Sequence, residues 1–297
     1  MPGRTEKPVG VAGLGLLGSA IARRLLAGGL ELIGLDLDPG RCVELGIEPA
    51  GSPGELAQRV GAVVLCLPGS SEVEDVCGGL IEAGDSGLEL VLDCTTGDPL
   101  RSEAVASRMA GAGIAFVEAE VTGSSRLFER GEAALLVGAS GEALGQATAL
   151  LDLLSPVVFH LGEVGSGARM KLVSNLVVGL NRLVLAEAVS LAEKAGVSPA
   201  HLLEVLRSGP GHSRALELKG RKMVEGDYDP EARLAQHLKD VELILELGRG
   251  VDAPLPLSHL HRALLEQGVA EGLGDLDNSS IVEVLRKGQG AEESEDA

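Results

Sequence analysis

One feature constrains this chain more than any other. A glycine turn, Gly13-Leu14-Gly15-Leu16-Leu17-Gly18, follows directly on the short apolar run Val9-Gly10-Val11-Ala12 and opens a helix-like stretch over residues 16–27. Each glycine has a physical use there. Gly13 permits a tight turn, Gly15 lets the backbone approach a pyrophosphate, and Gly18 lets the helix pack closely on a sheet. The phosphates then meet N–H groups at a helix N-terminus. The next apolar run, residues 31–35, leads into Asp36, whose carboxylate suits a ribose diol. Strand, turn, helix and acid together predict a dinucleotide site at Gly13, Leu14, Gly15, Leu16, Leu17, Gly18 and Asp36. A 2′-phosphate would meet Asp36 and Asp38 with no Lys or Arg before Arg41, so NAD is favoured over NADP.

Further short apolar runs at 62–67, 88–92, 114–117, 133–137 and 157–159 are separated by helix-length segments. That alternation predicts βαβ units and a parallel sheet, an α/β Rossmann-type domain. Near Gly165 the pattern changes. Residues 167–195 read as one long apolar helix, followed by helical stretches at 199–206, 214–224, 231–247, 257–267 and 280–287, with no further strand. The expected organisation is a dinucleotide-binding domain over 1–163, an all-helical C-terminal domain over 164–287 for substrate binding and dimerisation, and an acidic disordered tail over 288–297.

Composition narrows the partners. The 297 residues carry 44 Asp and Glu against 25 Lys and Arg, a formal charge of -19, with 1% aromatic residues. Such a chain repels polyphosphate and lacks base-stacking rings, so nucleic acid is excluded as a partner. Hydrophobic residues make up 45%, enough for a large core. Cys42, Cys66, Cys77 and Cys94 have no metal or redox spacing and point to a reducing, cytoplasmic compartment. No signal peptide is read at the N-terminus, and no apolar run reads as long enough to span a membrane. The six histidines show no ligand spacing and read as structural or surface groups.

Four more segments carry chemical potential. Leu67-Pro68 closes the 62–67 run at what would be the carboxyl edge of the sheet, where ligands lie, although a proline that simply ends a strand reads equally well. Asp93-Cys94-Thr95-Thr96-Gly97-Asp98-Pro99 combines a helix-capping signal with a loop at that same edge. Glu118-Ala119-Glu120-Val121-Thr122-Gly123-Ser124-Ser125 reads as a loop whose N–H and O–H groups suit a carboxylate, or as an ordinary flexible loop. Lys171 and Asn175, at i and i+4, share a face of the long apolar helix. A buried amine there would be a general acid/base with its pKa lowered toward neutrality. The alternative is a solvated stripe through Lys171, Asn175 and Arg182.

Taken in order, these segments resemble the β-hydroxyacid dehydrogenase family, which includes 3-hydroxyisobutyrate dehydrogenase and tartronate semialdehyde reductase. The likeness runs from about Val9 to Leu285 through Gly10 to Gly18, Asp93 to Pro99, Val121-Thr122-Gly123, Gly165 to Asn175, Ala186-Glu187-Ala188 to Val197, and Leu238-Lys239-Asp240. The resemblance implies hydride transfer between NAD(H) and a small β-hydroxy acid or its semialdehyde. Lys171 would exchange the proton and Asn175 would orient substrate. Thr122 and Gly123, with Ser124, would hold a carboxylate, Thr96 would lie beside the nicotinamide, and Lys239 would close over the cofactor.

The departures cluster where substrate is read. Glu120 stands where the family has Pro, Ser124 replaces a Gly, Leu127-Phe128 replaces Gly-Ala, and Ser174 replaces the first of two Asn. Glu120, facing the site, would disfavour an anionic substrate unless Arg126 or Arg214 offsets it. Two rivals therefore stand beside the main reading: an NADP-preferring reductase of a larger or amine-bearing substrate, and a non-catalytic dinucleotide sensor. The long apolar helix predicts a homodimer or homotetramer.

Overall fold

The computed structural model describes residues 7–287, so the expected acidic tail over 288–297 lies outside the described residues. Two compact units divide between Lys171 and Leu172.

The first unit alternates strand and helix: β1 (Val9–Ala12), α1 (Leu16–Ala27), β2 (Leu32–Leu35), α2 (Gly40–Leu45), β3 (Glu48–Pro49), α3 (Pro53–Arg59), β4 (Ala62–Leu65), α4 (Ser70–Glu82), β5 (Leu90–Asp93), α5 (Pro99–Gly111), β6 (Ala115–Val121), α6 (Ser125–Glu129), β7 (Leu135–Gly138), α7 (Gly141–Leu154) and β8 (Val158–His160). The strands form one sheet in the order β3-β2-β1-β4-β5-β6-β7-β8. The chain reverses its direction of travel across the sheet between β1 and β4, and in such sheets a crevice opens at the carboxyl ends of those two strands. Two apolar clusters, one on each face, cover the sheet.

Two features depart from the sequence reading. The sheet is parallel except where β6 meets β7, which run antiparallel. β6 also runs four residues beyond the expected 114–117, so Glu118 to Val121 are strand and not loop. Two carboxylates in four residues resemble loop composition. The strand instead sends Val117, Ala119 and Val121 into one apolar cluster and puts Glu118 and Glu120 on the opposite face.

From Ser166 the chain is helical among the described residues: α8 (Ser166–Lys194), α9 (Pro199–Ser208), α10 (Arg214–Glu225), α11 (Leu234–Gly250), α12 (Pro256–Ala270), a short 3-10 turn (Asn278–Ser280) and α13 (Ile281–Lys287). Its own apolar cluster gathers Leu185, Val189, Leu216, Leu245, Leu265 and Val282 with their neighbours. Arg182 is buried at 5% exposure, and Lys171 at 7%, so the solvated-stripe reading fails. Burial lowers the Arg182 guanidinium to about 10 against the pull of Asp277 and Asp240. The rings of His237 and His261 pack 5.0 Å apart where Gly179 leaves room, and burial, with help from Arg182, lowers His261 to about 4.

One expectation needs correction. α8 is long and apolar enough to cross a membrane by length and composition, although 39% of its apolar window is buried in the protein. No uninterrupted apolar run spans a membrane, but the 29-residue helix reaches the mean hydropathy of a spanning segment over 18 residues while carrying at most two charges.

Candidate active site

The crevice is made of backbone. Gly13 sits at φ +87, and a Cβ there would lie 2.2 Å from the Cys66 carbonyl oxygen, so β1 and the chain leaving β4 approach as only glycine allows. A Cβ on Gly18 would lie 1.8 Å from the Gly13 carbonyl, which is why α1 packs directly on the turn. Gly15 differs, because a Cβ there would meet nothing within 4 Å. Gly15 also begins α1 with no side-chain cap and no acid in the first turn. Open space above the uncapped N–H groups of a 12-residue helix fits a pyrophosphate, so the residues present fit a dinucleotide. Leu14 is buried at 2%, while Leu16 is exposed and Leu17 half-buried.

Asp36 ties the turn to β2. Its Oδ2 accepts from the Leu14 N–H at 2.6 Å and its Oδ1 from the Asp38 N–H at 2.9 Å. Arg41 Nη1 lies 3.4 Å from Asp36 Oδ2, and its Nε lies 3.9 Å from Asp38. The guanidinium is thus shared between two carboxylates.

Along the same edge the loops after β4 and β5 are fastened together. Leu67 N–H donates to Thr95 Oγ1 at 3.0 Å, and Asp98 N–H donates to Ser70 Oγ at 2.9 Å. The expected cap of α5 is present but its acceptor is the Asp98 carboxylate, with Pro99 opening the helix. This places Leu67, Pro68 and Thr96 on one shelf.

The second group gathers at the end of β6. Glu118 Oε2 accepts from Gly165 N–H at 2.7 Å, holding the entrance to α8. A Cβ on Gly138 would strike Glu118 and one on Gly167 would strike the Leu136 carbonyl, so the first turn of α8 lies against bare β7 backbone. Five residues past Ser166, the Lys171 ammonium donates to the Val121 carbonyl. Glu120, 2% exposed, accepts from Thr96 Oγ1 at 2.9 Å. Thr96, Glu120, Val121 and Lys171 therefore form one cluster. Burial pushes Glu118 up to about 7, with Asp93 adding to the effect. Burial pushes Glu120 up to about 8, resisted by the Lys171 charge and reinforced by Asp93 and Glu118.

The turn after β6 is more committed than the sequence suggested. Thr122 Oγ1 both donates to the Ala134 carbonyl at 3.1 Å and accepts from the Ala134 N–H at 2.9 Å. Ser124 Oγ caps α6. Gly123 holds φ +97 between them. Both hydroxyls thus hydrogen-bond to backbone of the same unit.

Within the helical unit, Asn175 Nδ2 donates to Asp240 Oδ2 at 3.1 Å, and Lys239 Nζ lies 3.8 Å from Asp240 Oδ1. Asp240 thus joins two residues that sequence motifs had singled out separately. Glu118 and Asp240 were not among the predicted site residues. The signal for Glu118 was a second carboxylate two residues before Glu120 in an otherwise apolar run. A groove of about 680 Å³ lined by Glu103, Ser107, Phe116, Ser140 and Glu163 lies elsewhere on the first unit and contains none of these residues.

The fold and the glycine crevice define a dinucleotide-binding oxidoreductase with a helical C-terminal unit. Residues 8–162 match the family model described as the NAD binding domain of 6-phosphogluconate dehydrogenase. Residues 165–285 match that described as NAD-binding of NADP-dependent 3-hydroxyisobutyrate dehydrogenase. The 2-(hydroxymethyl)glutarate dehydrogenase of Eubacterium barkeri is 30% identical over 283 residues, covering 93% of this chain and 94% of that protein. The L-threonate dehydrogenase of Cupriavidus necator is 29% identical, covering 94% and 96%. A crystal structure of 3-hydroxyisobutyrate dehydrogenase from Salmonella typhimurium superposes with a TM-score of 0.85 at 26% identity, covering 94% of this chain and 100% of that one. The chain belongs to the β-hydroxyacid dehydrogenase family and is an NAD(P)-dependent oxidoreductase acting on CH–OH groups.

Proposed function

We propose that this protein transfers hydride between NAD(H) and a small β-hydroxy acid or its semialdehyde, with Lys171 exchanging the proton at the carbinol oxygen. The observation that carries the reading is the buried Lys171 ammonium held on the Val121 carbonyl, in one cluster with Thr96. Hydride exchange is the chemistry a bound dinucleotide supplies. Gly13 to Gly18 and Asp36 would hold it, with Leu67, Pro68 and Thr96 along the same edge. The N–H groups of Gly123 and Ser124 are assigned to a substrate carboxylate. Asn175, one turn on from Lys171, is assigned to substrate orientation and Lys239 to the cofactor, both on their motifs. NAD is the proposed preference, because a 2′-phosphate would meet the Asp36 carboxylate and Arg41 is already engaged by Asp36 and Asp38. The test is a spectrophotometric screen of hydroxy acids and aldehydes with NAD and NADP. Turnover of a small hydroxy acid, faster with NAD, supports the reading, and binding without turnover of any compound overturns it. A larger or amine-bearing substrate is the second reading, favoured by the buried carboxylate of Glu120.

The same chain is proposed to self-associate along α8. Met170, Val173, Val177, Val184 and Leu191 are each more than two-fifths exposed. From Val177 they recur every seven residues, the spacing of a helix–helix seam. A second copy is the occupant proposed for this stripe, and its buried opposite face, carrying Lys171 and Arg182, is ill suited to lipid. Light scattering should give a dimer or tetramer that Val177→Glu dissociates, and a monomeric wild type sinks the idea.

A further inference from the structure

We infer that Glu120 and Lys171 hold an exchangeable proton in common, so that Glu120 serves as the positioning carboxylate and proton store behind the Lys171 amine. The inference rests on the reaction proposed above, and it concerns a residue at which the family resemblance leads one to expect proline.

The geometry comes first. β6 ends with Glu120 on one sheet face and Val121 on the other, and the Lys171 ammonium is docked on the Val121 carbonyl. The amine is thereby held at the strand residue next to Glu120, with no long side-chain search between them. Both groups are buried, Glu120 at 2% and Lys171 at 7%, so water screens their interaction poorly. Thr96 Oγ1 fixes one carboxylate oxygen from the β5 side. The charged neighbours of Glu120 are Lys171 from α8, Asp93 from the end of β5, and Glu118 from β6 itself. Cys66 and Cys94, whose thiols burial pushes up, also feel Glu120. Desolvation, with the carboxylates of Asp93 and Glu118 adding to it, favours the protonated form against the pull of the ammonium, and Glu120 is pushed up to about 8.

A buried amine beside a buried acid has two arrangements of the same proton: ammonium with carboxylate, and neutral amine with carboxylic acid. The second is what proton abstraction needs, because it presents a neutral amine without first losing a proton to bulk water. In the oxidising direction a dinucleotide held by Gly13 to Gly18 and Asp36 would supply the hydride acceptor, and the Lys171 amine takes the proton of the carbinol O–H. The C=O bond forms and leaves the Lys171 ammonium beside the Glu120 carboxylic acid, which then releases its own proton to solvent and returns the pair to one shared proton. Reduction runs the same transfers backwards.

The experiment that decides this needs no substrate. Glutamate carboxyl carbons are labelled with 13C and titrated by NMR in the wild type, in Glu120→Gln to assign the signal, and in Lys171→Met. A carboxyl titrating well above the ordinary glutamate range, with its midpoint moved upward by at least one pH unit in Lys171→Met, supports the proposal. The upward sign follows because removing the ammonium removes the group that lowers Glu120. A Glu120 signal titrating between pH 4 and about 5, or one unmoved in Lys171→Met, overturns it. If Glu120→Gln fails to fold, Glu120→Asp gives the assignment while keeping a carboxyl. Turnover is the second arm. With any hydroxy acid that is turned over, Glu120→Gln should lose about tenfold or more in kcat, flatten the alkaline rise of its pH profile, and leave KM within about twofold. An unchanged kcat profile overturns the relay. If nothing is turned over while the titration shows coupling, the proposed activity fails and the shared proton stands.

Discussion

At the β1–β4 crevice the working groups are peptide N–H groups, and the residues that matter are glycines chosen for what they lack. At the end of β6 the working groups are side chains: a buried lysine, two buried glutamates and a half-buried threonine. The first site binds charge by pointing fixed dipoles at it. The second keeps charge of its own in a place that resists it, and Glu118 and Glu120 are held near neutrality as a result. The contrast teaches that a recognition site made of backbone is rigid and tolerant of neighbours, while one made of buried titratable groups depends on every charge around it.

Five substitutions sharpen or break this contrast. Lys171→Ala should lower kcat by about a hundred- to ten-thousand-fold while dinucleotide binding, followed by fluorescence, stays within about threefold. Equal loss of binding would mean that the two sites are not separable. Gly18→Ala forces a Cβ onto the Gly13 carbonyl and should cost about 3 kcal/mol or more of stability. Gly15→Ala enters open space and should leave Tm unchanged while weakening dinucleotide binding about tenfold, ~1.4 kcal/mol. A melting curve and a titration on each variant separate the structural glycine from the binding one.

The second site should be sensitive to pH where the first is not. Burial raises Glu118 from 4.5 to about 7, so the folded chain keeps a proton that the unfolded chain has lost. Its contribution is fully present below pH 4.5 and is lost as pH climbs to about 7, at most about 3 kcal/mol. Tm of the wild type should fall across that window, and Glu118→Gln should flatten the fall. A wild-type Tm that rises from pH 5 to 7 while the variant stays level contradicts the assignment. The smallest effect is at Asp36. Asp36→Ala should shift the NAD to NADP affinity ratio about fivefold toward NADP, ~1 kcal/mol, by removing the carboxylate that a 2′-phosphate would meet.

Much of the fold was legible before the structure. The apolar runs and helix-length spacers marked the α/β unit, and the long apolar stretch after Gly165 marked the helical one, because burial periodicity is written locally. The crevice was legible for the same reason: Gly13, Gly15, Gly18 and Asp36 lie within 24 consecutive residues, and their spacing is their function. β6 was cut short because Glu118 and Glu120 look like loop residues until the strand's alternation is seen in three dimensions. That the Thr122 hydroxyl pairs with the Ala134 backbone and the Ser124 hydroxyl caps α6 was not legible, because no sequence pattern shows which partners a turn hydroxyl finds.

The sequence by itself determined the strand–turn–helix, the acid that follows it, and a lysine on an apolar helix, since each depends on neighbours a few residues away. Only the tertiary structure decided that this lysine meets the end of β6 and that Glu120 lies beside it. Those residues are 51 apart in the chain, and what they do to each other's protons depends on distance and on the exclusion of water, neither of which is encoded in any single segment.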